Sequence, residues 1–133
     1  MKDLDAAEFE FVEPRFVSIR LVGKLDAIQM GAIMDALEDA VTEEPFFALE
    51  LFMGHLESLT PESRRIAAER LQTLPNRAIA VIGGSYQQNI LAKLVLTAVA
   101  VLTKNEANLA KFFADPVEAR QWLKDYASSR SAG

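Results

Sequence analysis

The sequence predicts an α/β domain with a mixed, mostly parallel sheet of about five strands and about four helices, and two observations carry that expectation. The run Phe46-Phe47-Ala48-Leu49-Glu50-Leu51-Phe52-Met53 is apolar at almost every position and too short for a typical helix. A strand covered on both faces has that pattern. From Arg15 onward, such runs also alternate with segments of helical spacing, most of them opened by a capping signal. Strand–helix alternation of this kind builds a parallel sheet through crossover helices.

Each element follows in chain order. Phe9 and Phe11 alternate with Glu8, Glu10 and Glu13, a half-exposed first strand ended by the turn Glu13-Pro14-Arg15. Phe16 to Val22 puts Val17, Ile19 and Leu21 on one face and pairs with the first strand as a hairpin, with Gly23 as its stop. Asp26 and Gln29 form a capping box for a helix carrying Met30, Ile33, Leu37 and Val41 and ending near Glu44-Pro45. The central strand follows and ends at Gly54. A polar loop from Gly54 to Leu59 leads to Thr60-Pro61-Glu62, a hydroxyl cap with proline at the first helical position. That helix carries Ile66, Ala67, Leu71 and Leu74. Ala78 to Ile82 is the next buried strand, and Ser85 with Gln88 caps a long apolar helix from Tyr86 to about Lys104. Asn108 to Phe113 is the last strand. Asp115-Pro116-Val117-Glu118 caps a final helix with Ala119, Trp122, Leu123 and Tyr126. Residues 1–127 form one domain, and Ser128 to Gly133 is a polar, frayed tail.

Composition limits the function classes. The chain has 133 residues, a net charge of −5, one histidine and no cysteine. The acidic balance argues against nucleic acid or an anionic membrane surface as the main partner. Thiol chemistry, disulfides and thiolate metal sites are excluded. No apolar run reaches the ~20 residues that span a bilayer, and Met1-Lys2-Asp3-Leu4-Asp5 has no signal core, so a cytoplasmic protein is the expectation. His55 with Glu57 is too small a set to hold a metal, and no paired carboxylates or nucleophile–base set is visible. The expectation is a non-enzyme with no catalytic residue, cofactor or metal. Gly83-Gly84-Ser85 lacks the spacing of a phosphate-binding loop and is a tight turn plus an N-cap.

Several strings resemble the SpoIIAA-like group of bacterial proteins related to STAS domains, the anti-sigma-factor-antagonist fold. They are Ile19-Arg20-Leu21-Val22-Gly23-Lys24-Leu25, Leu49-Glu50-Leu51 with the polar stretch after it, Ala78-Ile79-Ala80-Val81-Ile82-Gly83, and Phe112 through Leu123. The resemblance implies a regulatory module that binds a protein partner through the loop and helix after the central strand. The residues there are Gly54, His55, Glu57, Ser58, Thr60, Ser63, Arg64 and Arg65. It also implies a phosphorylated hydroxyl in that region. The family's Asp-Ser-Ser-Gly-like string is absent here, and Ser58 and Thr60 lie near its position. The group is similar in turn to CRAL-TRIO lipid-binding domains, which implies the alternative of an apolar ligand or lipid held between the sheet and helix 86–104.

The long helix is apolar on two sides. Ile90, Leu91, Leu94, Ala98, Val101 and Leu102 form the face expected on the sheet, leaving Ala92, Leu96 and Val99 as an outer strip that is either scattered apolar surface, covered by the segment Asp3 to Ala7, or packed on its own copy in a homodimer.

Overall fold

The computed structural model describes residues 2–4, 7–13, 15–103 and 109–132, with side chains at 7–10, 15–97 and 109–130. Ten elements follow one another: β1 (Lys2–Leu4), β2 (Ala7–Glu13), β3 (Phe16–Leu25), α1 (Ala27–Val41), β4 (Phe46–Leu59), α2 (Pro61–Leu71), β5 (Asn76–Ile82), α3 (Tyr86–Thr103), β6 (Leu109–Phe113) and α4 (Pro116–Ala132). The strands form one sheet in sequential order from β1 to β6. β1, β2 and β3 pair antiparallel, and β3 through β6 pair parallel. The expected α/β architecture with four helices is present. The addition is β1, three residues too short to carry a period-2 signal.

Because β4 has helices on both sides, its side chains split between two cores. Phe47, Leu49 and Met53 join Val17, Ile19, Leu21, Ile79 and Val81 under α1, α2 and α3. Phe46 and Ala48 join Ala78, Ala80 and Ile82 under Ala119, Leu123 and Tyr126 of α4. Burial of a side chain such as Phe47 or Leu37 contributes roughly 1.5–3 kcal/mol, so these two layers hold the sheet in place. Arg70 of α2 reaches Asp35 and Glu38 of α1 at 2.7 and 2.9 Å and ties the two helices across their surface.

Three boundaries differ from the sequence expectation. The central strand does not stop at Gly54: β4 continues to Leu59, and the expected polar loop is strand. Its register to β3 shifts twice, between the pairs Arg20–Phe52 and Val22–His55 and again between Gly23–Leu56 and Lys24–Ser58. Each shift gives β4 one extra residue, a β-bulge. As a result Met53, Leu56 and Leu59 are buried at a spacing of three instead of two. That spacing hid the strand. Likewise β3 runs through Gly23 to Leu25, because Gly23 takes φ +75° beside the second bulge, a conformation open to glycine. At the other end, α4 continues to Ala132 in place of the frayed tail expected from Ser128.

The face assignment of α3 is rotated: Leu91 packs inward as expected, and its neighbours change sides. Ala92 is buried in the core with Leu91, Val95 and Leu96 packed around it, while Ile90 and Leu94 are exposed. Ala92 and Leu96 therefore do not form an outer dimer strip, and the side chain of Val99 lies outside the described residues. The phase is set at the start of the helix. Gln88 turns inward, its Nε2 donating to the Leu56 carbonyl at 2.7 Å. Ala92, Val95 and Leu96 follow it at helical spacing.

Candidate functional site: the carboxyl edge of the sheet

The parallel strands β3 to β6 all end on one edge, and α1, α2, α3 and α4 each start there. Four capped helix starts line it. Asp26 accepts from the Gln29 N–H at 2.9 Å while the Gln29 side chain accepts from the Asp26 N–H at 3.1 Å. Thr60 Oγ1 accepts from the Ser63 N–H at 3.1 Å. Ser85 and Gln88 cap each other reciprocally, and Asp115 Oδ1 accepts from the Val117 N–H at 2.9 Å. Every one of these caps was legible as a short polar string, because a cap needs only residues two or three apart. Asp115 is thus a cap.

β4 projects beyond its neighbour on this edge. Its last pair with β5 is Phe52–Ile82, whereas its pairing with β3 runs on to Leu25–Leu59. Residues 53–59 are accordingly bound to a strand on one side only. On the free side, Gln88 meets the Leu56 carbonyl, and Gly54 lies against the turn at Gly83. The extension carries exposed Gly54, His55 and Glu57 and half-buried Ser58, which stands in register with Lys24.

The remaining sequence candidates divide. Thr60 is exposed at the start of α2, and Arg65 is exposed one turn on, 4.0 Å from Glu69. Ser63 is 0% exposed and its Oγ donates to the Thr60 carbonyl at 2.8 Å, so it is an internal brace and not a contact surface. Arg64 is half-buried, with Nη1 donating to the Leu59 carbonyl at 3.4 Å. It closes the strand–helix corner. No group of three or more metal-ligating side chains converges among the described residues.

Apolar side chains at the helix starts were not singled out from the sequence. Ile28, Tyr86 and Val117 sit in the first turns of α1, α3 and α4 and are 84%, 82% and 75% exposed. Val22 of β3, close to the strand's end, is exposed as well. Single exposed apolar residues are ordinary, and these stand at one end of the sheet, with Ile28 and Tyr86 on helices of the α1–α3 face and Val117 on the α4 face. Each lies just after a recognised cap, so the available signal was a large apolar residue where a first turn is usually polar.

The expected apolar cavity also exists. It lies between the sheet and α1, α2 and α3, is lined wholly by apolar side chains including Met30, Met34, Met53 and Leu96, and has a volume of about 70 Å³. That is well below the ~300 Å³ at which pockets begin to hold drug-sized ligands.

No family model matches this sequence, and no curated protein matches it either. Solved structures do match. A DUF3478-family protein with a SpoIIAA-like fold from Shewanella loihica PV-4 is 19% identical with a TM-score of 0.62, covering 89% of this chain and 92% of its own. The anti-sigma factor antagonist SpoIIAA in its unphosphorylated form is 17% identical with a TM-score of 0.63, covering 90% and 97%. The phosphorylated form of the Bacillus cell fate determinant SpoIIAA is 17% identical with a TM-score of 0.57, covering 89% and 99%. No helix among the described residues is long and apolar enough to cross a membrane. The sheet, the helices and these similarities agree on one conclusion: the chain has a SpoIIAA-like fold.

Proposed function

We propose that the protein is a non-catalytic regulatory module that binds a protein partner along the carboxyl edge of its sheet. The observation that carries this reading is the exposed apolar pair Ile28 and Tyr86 at the starts of α1 and α3, on the same edge as the β4 extension with His55 and Glu57 and the exposed Arg65. Large apolar anchors within a polar rim are the usual composition of a protein-binding surface. The fold of an anti-sigma factor antagonist supports a regulatory role, and the solved unphosphorylated and phosphorylated forms of SpoIIAA support a phosphate switch. Here the acceptors are Ser58 and Thr60. A phosphate on Thr60 would lie at the N-terminus of α2, where the helix dipole favours negative charge.

Capture of the partner from source-cell extract tests the surface. The variant Ile28→Asp/Arg65→Glu/Tyr86→Ser is expected to lose at least tenfold in captured partner, about 1.4 kcal/mol of binding. Its melting temperature should stay close to that of the wild type, since none of the three side chains is buried. Equal capture by the variant would refute this surface. The alternative of an apolar-ligand carrier rests on the cavity under α3, and its volume of about 70 Å³ counts against a lipid-sized ligand.

A further inference from the structure

The opposite face of the sheet holds a charged group that the partner surface does not use. Glu50 lies in the middle of β4, flanked by Leu49 and Leu51, and is 1% exposed. Its two carboxylate oxygens are both taken by Arg120 of α4: Nε donates to Oε2 at 2.9 Å and Nη2 to Oε1 at 2.6 Å. The guanidinium is held from a second side by the Phe16 ring, 5.4 Å from Cζ to centroid. Hydrogen bonding to Glu50 raises the Arg120 pKa, so the cation is permanent. Apolar residues of the same shape often serve stability as well as a buried ion pair does, so packing alone does not call for a carboxylate here.

Above the pair is a cleft of about 280 Å³ between β4 and α4. Glu50 and Arg120 line its base, Phe52, Pro116 and Val117 form apolar walls, and Lys124 adds a second cation one turn beyond Arg120. A guanidinium has two edges that can bind a carboxylate. The Nε/Nη2 edge is filled by Glu50. The Nη1 side makes no further hydrogen bond among the described residues, and the Arg120 side chain is about half-exposed in the cleft. The N-terminus of α4 is not the anion site, since Asp115 already accepts from the Val117 N–H. The other charges near this face are Glu10, and Arg20 paired with Glu8 at 3.7 Å. Among the residues that line the cleft, Glu50 is matched to Arg120 and Lys124 adds one positive charge, while Glu10 acts on Arg120 from outside the lining.

We infer that this cleft binds a small organic acid, with its carboxylate on the free side of Arg120 and on Lys124 and a flat apolar body against Phe52 and Val117. Glu50 acts as a positioning residue that fixes the guanidinium. The site is on the α4 face and is separate from the partner reading above.

Amide and guanidinium NMR titration of the full chain tests it, with benzoate as the probe and benzamide as its neutral counterpart. Benzoate should give saturable shifts at Phe52, Val117, Arg120 and Lys124. Benzamide should bind at least tenfold more weakly, because it lacks the charge that Arg120 and Lys124 recognise. Lys124→Ala, an exposed change, should weaken benzoate by roughly three- to tenfold, and Arg120→Lys should weaken it more. Non-saturating shifts, equal binding of benzamide, or an unchanged affinity in Lys124→Ala would overturn the site. If Arg120→Lys does not fold, the benzamide and Lys124→Ala arms decide alone.

Discussion

Two hydroxyl residues three positions apart, Thr60 and Ser63, show how differently neighbouring side chains are used. Both belong to one helix start, yet Thr60 faces solvent while Ser63 is enclosed and bonded to the Thr60 carbonyl. The sequence places both at the front of α2 but cannot orient them, since the rotation of a first turn depends on what the helix packs against. Glu50 and Arg120 were harder still. They are 70 positions apart, and their only sequence trace is a lone acid in an apolar strand and an arginine between the buried Ala119 and Leu123. Local signals fared better, as the caps demonstrate. Asp115→Ala should lower stability by about 1 kcal/mol, the usual cost of losing an N-cap, as read by chemical denaturation. A stability change near zero would remove Asp115 from that role.

At the scale of elements, the misreadings have a common origin in periodicity. β4 loses its period-2 signature where two bulges insert residues, and a pattern of burial at Met53, Leu56 and Leu59 resembles neither a regular strand nor a loop. α3 has the opposite difficulty. It is apolar around most of its circumference, so two rotational phases satisfy the hydrophobic pattern equally, and the polar Gln88–Leu56 bond selects between them. The faces make distinct predictions. Leu96→Ala, which withdraws a side chain packed against the core, should cost about 2 kcal/mol. Leu94→Ala should stay within about 0.5 kcal/mol because Leu94 is exposed. Thermal or urea unfolding of the two variants measures this, and a larger loss from Leu94→Ala would restore the phase expected from the sequence.

For the whole molecule, the sheet edge was legible as a row of helix starts because alternation of strand and helix alone sends every crossover back to the same side. What the edge presents was only partly legible. Gly54, His55, Glu57, Thr60 and Arg65 are exposed there, whereas Ser63 is internal and Arg64 is tied to the strand end. Ile28 and Tyr86, from helices 58 positions apart, share that edge only through the fold. The central claim is that this edge is where a protein partner docks. Photo-crosslinking in the source cell tests it most directly, with the reactive residue placed in turn at Ile28, Glu57 and Tyr86 and, as a control, at exposed Thr73 on the opposite end of the sheet. The account predicts one adduct of common mass from the three edge positions and none from position 73. An adduct from position 73 with none from the edge would contradict it.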